Sequence, residues 1–242
     1  MIDKRKFNKD LFRLTLPIAM QSLMLALVAA ADALMLGTVA QAEMTAVSLA
    51  TQIQFIQNMF IGAIAGAGAI LGAQYWGKGD RYTLEDLFNM MLRYSGLVSV
   101  LFFLACELVP GMLMGIFTAD PELVAIGSTY LQIAGWSYLL TGISQCYLTA
   151  MKVTDHVKLG ALISSSAVMM NVILNAVFIF GLFGLPRMQA RGAALATTIS
   201  RAVELLLCLL LTLKPGFVRP ALGRFFRLPR QLNADFARQA LP

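Results

Sequence analysis

The stretch that decides the fold is Leu14–Gly37, "LTLPIAMQSLMLALVAAADALMLG", which contains one acidic residue, Asp32, and no basic residue. About 20 helical residues, each rising ~1.5 Å, cross the hydrocarbon core of a bilayer, so this stretch is long enough to span a membrane. Lipid cannot solvate a carboxylate, which makes Asp32 a functional candidate facing an interior cavity or a partner. The alternative is that Asp32 lies close enough to the helix end to reach interfacial water. Its position alone leaves both interpretations open.

Composition places the whole chain in the same class as this stretch. Of 242 residues, 58% are hydrophobic and only 13% are charged, and the mean hydropathy is +0.72. Such values indicate an all-α integral membrane protein rather than a soluble domain. The net charge of +6 suits anionic lipid at least as well as nucleic acid, and its distribution favours lipid. We therefore predict membrane lipid as a partner and no nucleic acid.

Apolar runs separated by turn residues predict six membrane-spanning helices, which together form one lobe over residues 1–215. Residues 216–242 are predicted to be a basic cytoplasmic linker that lies on anionic lipid, because its arginines alternate with Phe217, Phe225 and Phe226. The predicted spans are 11–36, 44–75, 87–109, 123–151, 159–183 and 190–213.

The lysines and arginines indicate the orientation of the lobe. They are concentrated before the first span and after the second, fourth and sixth, whereas the loops after the first and third spans have none. The loop after the fifth has only Arg187 and Arg191. The positive-inside bias predicts a multi-pass protein of the cytoplasmic (inner) membrane with both termini in the cytoplasm.

A short repeat predicts that the lobe has a counterpart. "FNKDLFRLTLP" (Phe7–Pro17) reappears as "LNADFARQALP" (Leu232–Pro242), with five of eleven positions identical. The first copy leads into a span, so the second predicts the start of a seventh helix. Two halves that begin on the same side are parallel repeats, an arrangement of secondary transporters. The predicted partner is a missing second lobe or a second copy, and the open alternative is a chance match.

Four motifs in order resemble the multidrug and toxic compound extrusion (MATE) family. They are "PIAMQSLMLALVAAADALMLG" with Asp32, "GAQYWGKGD" (Gly72–Asp80), "NVILNAVFIFG" (Asn171–Gly181) and "GAALATTIS" (Gly192–Ser200). The resemblance covers nearly the whole chain but only the first of that family's two lobes. It implies a six-helix bundle equal to one lobe of a twelve-helix transporter. The implied function is an H⁺- or Na⁺-coupled antiporter, not an enzyme, that exports organic, cationic compounds.

Helical rise brings four polar residues of the spans to a similar depth. Measured from the predicted inner ends of their spans, Asp32 lies ~27 Å along the first, and Asn171 and Asn175 lie ~20 and ~26 Å along the fifth. Thr197 lies ~9 Å from the outer end of the sixth span, which runs back inward. The i, i+4 spacing of Asn171 and Asn175 puts both amides on one face of their helix.

An all-oxygen set suits a hard cation, and a desolvated carboxylate can take a proton instead. From the residues alone, amide bonding that holds helices together, worth ~0.6 kcal/mol, is the favoured interpretation. The family resemblance implies that the positions Asp32, Asn171, Asn175 and Thr197 bind Na⁺ or H⁺. No other cofactor is predicted. Some members carry Asp at the position of Asn175, and its absence here weakens the case for Na⁺.

The resemblance also implies that Pro17 is a hinge at which the first helix bends. A proline inside a helix removes one hydrogen bond and permits a kink. The alternative is a first-turn proline at the start of the helix.

Polar residues in the second and fourth spans are candidates for a substrate cavity. Gln54 and Asn58 share a face at i, i+4, with Gln57 beside them, and Gln145 in the fourth span joins the same set. Bonding between helices is the alternative for these residues.

Three rival functions are weighed against the antiporter. A lipid-linked oligosaccharide flippase of the same superfamily would need a basic cavity, yet Arg201 is the only candidate base near the middle of a span, and it is predicted to pair with Glu204 at i, i+3. An enzyme would need paired acids or a histidine cluster at depth. A truncated, non-transporting half is the third, because one lobe cannot enclose a pathway between two lobes.

Overall fold

The computed structural model describes residues 19, 23, 35 and 37 individually, and then 40–226 and 229–240. These residues form helices joined by short turns, with no strand in the described ranges. The rest of the first predicted span, including Pro17 and Asp32, lies outside them.

Five long helices in the described part of the chain are long and apolar enough to cross a membrane. A short helix follows the second of these, and another lies near the end of the chain. In chain order the helices are α1 (Gln41–Gly77), α2 (Arg81–Leu108), α3 (Pro110–Gly115), α4 (Pro121–Val153), α5 (Val157–Phe180), α6 (Gln189–Thr212) and α7 (Arg230–Ala240).

The five long helices correspond to the second to sixth predicted spans, with the largest difference at the start of α2. That helix begins at Arg81, whereas hydropathy placed its start at residue 87. Asp80 caps it by accepting hydrogen bonds from the Thr83 backbone N–H at 3.0 Å and from Thr83 Oγ1 at 2.6 Å. Polar first turns outside an apolar run are helical because of such capping, which a hydropathy boundary does not detect.

Two connections differ from the prediction. The fifth span ends at Phe180 rather than at residue 183, because Gly181 takes a left-handed conformation (φ 69°) that terminates α5. Helix α3 was not predicted; it begins at Pro110, whose fixed φ suits a first turn.

The core divides into two apolar clusters at opposite ends of the bundle. One contains residues such as Leu71, Leu87 and Met151, and the other contains residues such as Ala50, Met114 and Tyr130. On α1, α2 and α4, buried polar residues lie between the two clusters. Gln57 donates to Ser99 Oγ and to the Tyr138 carbonyl, and Ser95 donates to the Gly142 carbonyl; we call these three side chains and two backbone carbonyls the polar belt.

The residues after α6 dock on the protein through Arg224, and the prediction that this segment lies on anionic lipid stays a prediction. Arg224 pairs with Glu85 at 2.7 Å and Asp86 at 3.0 Å at the start of α2. Its guanidinium also lies over the Tyr82 ring, 3.6 Å from the centroid. Glu85 and Asp86, which lie before the predicted start of this helix, therefore hold this segment in place.

Helix α7 forms where the repeat predicts the start of a seventh helix. Leu232 and Phe236 are buried in one of the apolar clusters, and Phe236 stacks on Tyr94 of α2. The Tyr94 hydroxyl donates a 2.6 Å hydrogen bond to Asn233 Oδ1. This segment is thus part of the folded lobe.

Candidate functional site

A cavity of about 600 Å³ opens between α1, α4, α5 and α6. This volume lies in the range of small-molecule sites, ~300–1,000 Å³. Its wall mixes apolar side chains with hydroxyl and amide groups. The polar members of the wall, including one charged residue, are Ser48, Thr51, Gln54, Asn58, Tyr130, Thr141, Gln145, Asn171, Thr197, Ser200 and Arg201.

Three of the four predicted cavity residues line this space, and one does not. Gln54, Asn58 and Gln145 are at the wall. Gln57 is instead fully buried between helices, where its Nε2 donates to the Tyr138 backbone carbonyl at 2.9 Å and to Ser99 Oγ at 3.4 Å. The prediction for Gln57 is wrong, because its position on α1 directs it towards α2 and α4 rather than towards the cavity.

The cavity wall on α1 contains two residues that were not among the predicted cavity residues, Ser48 and Thr51. Ser48 and Thr51 precede Gln54 and Asn58 at intervals of three and four residues, on one helical face. This stripe of small polar residues on an otherwise apolar helix is the signal that would have identified them.

Three of the predicted cation-site residues lie together on α5 and α6. Asn175 Nδ2 donates to Asn171 Oδ1 at 3.3 Å, and Asn171 Nδ2 donates to Thr197 Oγ1 at 3.3 Å. The Thr197 hydroxyl donates to the Ala193 carbonyl at 3.0 Å. Asn171 and Thr197 line the cavity, whereas Asn175 is buried behind them. We call Asn171, Asn175 and Thr197 the amide–hydroxyl cluster.

The geometry of this cluster can serve both interpretations left open by the sequence. Its hydrogen bonds join α5 to α6, as expected for helix association. Amide and hydroxyl oxygens each keep a further lone pair, so the same groups can also contribute ligands to a hard cation. The predicted fourth member, Asp32, and the predicted hinge Pro17 lie outside the described residues.

Thr198 provides a contrast with its neighbour Thr197. Its hydroxyl donates to the Ile133 carbonyl of α4 at 3.1 Å and to the Ala194 carbonyl at 2.9 Å, and it does not line the cavity. Adjacent threonines on α6 thus face different surroundings, because successive helical residues are rotated by about 100°.

The predicted Arg201–Glu204 ion pair is present, with Nη1 and Oε2 2.6 Å apart. A charged side chain at the centre of a span costs roughly 2.5–3.5 kcal/mol on insertion scales, and pairing reduces that cost. Glu204 is fully buried, whereas Arg201 lies at the cavity wall. The pair therefore presents its positive member to the cavity.

Glycine in "GAALATTIS" has a packing explanation. A Cβ at Gly192 would lie 2.9 Å from the backbone carbonyl carbon of Phe178. The absence of a side chain lets α6 approach α5 closely, which brings Thr197 within reach of Asn171. Near the same end, Glu43 Oε2 accepts a 2.9 Å hydrogen bond from the Ala190 backbone N–H in the first turn of α6.

These features define an all-helical, multi-pass membrane protein with a mixed polar and apolar cavity between its helices. The family model described as MatE matches residues 17–177, and the chain belongs to this family. The family predicted from the four motifs is confirmed.

Curated relatives match over most of this chain but over less than half of their own length. The "Uncharacterized transporter YisQ" of Bacillus subtilis is 24% identical over 227 residues, which are 92% of this chain and 49% of the relative. The "Probable multidrug resistance protein NorM" of Thermotoga maritima is 24% identical over 200 residues, 82% of this chain and 43% of the relative.

Solved structures have the same fold over about half of their chains. A MOP superfamily transporter from Pyrococcus furiosus, whose description reports a binding pocket of reverse polarity, superposes with a TM-score of 0.84 at 18% identity over 95% of this chain and 50% of its own. The Vibrio cholerae MATE transporter VcmN in its bent form gives a TM-score of 0.83 at 19% identity over 95% and 51%. These lengths agree with the predicted single lobe. Members of this family are transporters, so the prediction that the chain is not an enzyme is confirmed.

Proposed function

We propose that this chain is one lobe of a cation-coupled antiporter that exports organic, cationic compounds across the cytoplasmic membrane. The observation that carries the proposal is that the amide–hydroxyl cluster opens onto the cavity through Asn171 and Thr197. A cation site at the wall of a substrate cavity is the arrangement that antiport requires, because occupancy of one site then alters affinity at the other.

In this mechanism, H⁺ or Na⁺ from outside occupies a site formed by Asp32 with the amide–hydroxyl cluster. Its binding lowers the affinity of the cavity for the organic cation, which is released outside. One-for-one exchange of a monovalent ion for an organic cation moves no net charge, so the concentration gradient of the coupling ion drives it. A tenfold ion gradient supplies ~1.4 kcal/mol, which supports a substrate gradient of up to about tenfold. The second lobe, or a second copy of the chain, completes the pathway.

Among the described residues at the wall, Arg201 is the one base, which supports the antiporter over the flippase. A pyrophosphate-linked lipid carries several negative charges and calls for several bases, whereas Arg201 is one base whose charge Glu204 balances. The fold alone does not distinguish the two functions.

The coupling is tested by competition between ethidium, a fluorescent organic cation, and the coupling ion on the purified chain in neutral detergent. Adding NaCl in place of choline chloride at constant ionic strength, or lowering the pH, is expected to displace bound ethidium. Asp32→Asn is expected to abolish this displacement, and to abolish coupled efflux in a two-lobed assembly.

Adjacent threonines provide the matched control. Thr197→Ala is expected to weaken ion-driven displacement of ethidium, whereas Thr198→Ala is expected to leave it unchanged, since its hydroxyl faces α4. Displacement by Na⁺ and by acid that is unaltered in Asp32→Asn would refute the proposed coupling.

A further inference from the structure

Arg201 is the charged residue among the described residues that line the cavity. The rest of that lining is apolar or neutral and polar. A guanidinium within a membrane span is stable where it faces water or a partner, so its position at a cavity wall marks a place where a ligand can meet a fixed positive charge.

The pair with Glu204 leaves much of the guanidinium available. The Glu204 side chain is fully buried, while the Arg201 side chain is 21% exposed, so the carboxylate lies behind the arginine relative to the cavity. Within residues 40–226 and 229–240, the pair makes one contact, from Nη1 to Oε2, and Glu204 Oε1 has no hydrogen-bond partner. A guanidinium has five N–H donors in a planar fork, of which this contact uses one.

We propose that Arg201 anchors a carboxylate group of the transported compound, and that Glu204 orients the guanidinium and balances its charge. The inference rests on the proposed function, since it takes this cavity as the substrate site. It refines that function by giving the transported compound a carboxylate in addition to its cationic group. The carboxylate binds the positive charge of Arg201. The planar fork of Arg201 matches the two oxygens of a carboxylate, a geometry that lysine does not provide.

Glu204 explains how the cavity holds an arginine when no substrate is present. An unpaired guanidinium in a low-dielectric interior is unfavourable, and a buried carboxylate one helical turn away compensates for it. Glu204 balances the charge of Arg201, but their contact joins only Arg201 Nη1 and Glu204 Oε2. The arginine is therefore held in place yet keeps donors for a ligand.

A small carboxylate fits this site better than a lipid phosphodiester. One partly compensated arginine gives recognition of a single planar monoanion, whereas no second base among the described lining residues would support a phosphate-rich headgroup. Anionic lipid nevertheless offers related chemistry, and the experiment includes it as a competitor.

The test uses three probes of nearly equal size and different charge, namely 1-naphthoate, 1-naphthamide and 1-naphthylmethylammonium. Their affinities for the purified full chain in neutral detergent are measured by equilibrium dialysis. We expect naphthoate to bind at least ~10-fold more tightly than naphthamide, the range for a charge-assisted bidentate contact. Arg201→Gln is expected to remove that preference, and Arg201→Lys to retain only a few-fold of it.

Two further variants protect the result against misfolding and general charge effects. Arg201→Gln leaves Glu204 buried without its partner, so the double variant Arg201→Gln/Glu204→Gln, which removes both charges, is measured beside it. It is expected to fold and to lose the preference for naphthoate. Arg191→Gln removes an exposed arginine of α6 that does not line the cavity, and it should keep the preference.

Equal affinity for naphthoate and naphthamide in the unaltered chain, or an unchanged preference in the double variant, would overturn the proposal. Loss of naphthoate binding on adding phosphatidylglycerol, with an Arg201-dependent affinity for that lipid, would assign the site to lipid and overturn it also. The proposed antiport is judged separately, because displacement of ethidium by Na⁺ or acid through Asp32 does not involve the preference between these probes.

Discussion

The polar belt and the amide–hydroxyl cluster are built from similar side chains, yet they meet different surroundings. In the belt, Gln57 is sealed between α1, α2 and α4 and donates to another helix. In the cluster, Asn171 donates across to α6 but also borders a cavity of about 600 Å³. A carboxamide in a membrane helix can therefore hold the fold together or offer an oxygen to a ligand, and access to the cavity separates these roles.

The contrast is sharpest on α1. Gln54 and Asn58 line the cavity, and Gln57, between them in sequence, is turned away from it. A rotation of about 100° per residue is enough to move a side chain from the wall to a helix interface. Mutations on the two faces should thus have separable effects on stability and on binding.

The largest effect on stability is expected for Gln57→Ala. The substitution removes two hydrogen bonds, leaves Ser99 and the Tyr138 carbonyl without that partner, and opens a void, which together cost about 2–3 kcal/mol. Gln54→Ala, on the cavity face, should change the free energy of unfolding by less than about 0.5 kcal/mol. Reversible unfolding of the purified chain in detergent measures both. Equal losses would remove the distinction between the two faces.

A somewhat smaller loss is expected for Gly142→Ala. The new Cβ would overlap Ser99 Oγ and lie 3.0 Å from Ser95 Oγ, so the polar belt must shift at a cost of about 1–2 kcal/mol. Gly62→Ala is the control, because Gly62 lines the cavity and a Cβ there meets nothing within 4 Å. That variant should be neutral or up to ~1 kcal/mol more stable in the same unfolding assay, through better helix propensity. Comparable destabilisation by both would contradict the packing argument.

Asn171→Ala should have a small effect on the ion-free chain and a specific effect on its response to ions. Loss of its interhelical hydrogen bond costs ~0.6 kcal/mol, typical for membrane helices. If the cluster contributes to a cation site, the rise in melting temperature on replacing choline with Na⁺, or on mild acidification, should shrink in this variant. An unchanged rise would leave Asn171 as a purely structural amide.

The smallest expected effect is a pH dependence of the N-terminal cap of α2, which lies outside both the polar belt and the amide–hydroxyl cluster. Hydrogen bonds from the side chain and backbone of Thr83 lower the pKa of Asp80 below its usual value. Because the folded state depresses this pKa, the stabilisation is present above the ordinary carboxyl pKa and is lost as the pH falls through the folded value. The polar belt and the amide–hydroxyl cluster contain no ionisable side chain. Acid should therefore weaken this cap without breaking the hydrogen bonds of the belt or the cluster.

Hydrogen exchange of the amides at 81–84 measures the strength of this cap. Asp80→Asn, whose side chain does not titrate, is the reference. At neutral pH these amides should exchange more slowly in the unaltered chain than in this variant. The difference should vanish under acidic conditions, because Asp80 is then protonated. A difference that persists below the folded pKa would show that the carboxylate does not stabilise the first turn.

Sequence alone determined the class of the protein, the five spans that the structure describes, and the family. Long apolar runs must become helices in lipid, because helical hydrogen bonds satisfy every backbone group without water. The pairing of Arg201 with Glu204 also followed from sequence, since residues three apart on a helix are neighbours. The capped start of α2 was missed because it depends on a hydrogen bond and not on hydropathy.

Only the tertiary structure decided which polar side chains reach the cavity. It placed Gln54, Asn58, Asn171 and Thr197 at the wall, and it sealed Gln57 between helices. It also brought Arg224 onto the carboxylates of α2, a pairing that the sequence pattern did not predict. Periodicity fixes which residues share a face of a helix, but the neighbour of that face depends on how helices distant in sequence pack, and no local pattern encodes that arrangement.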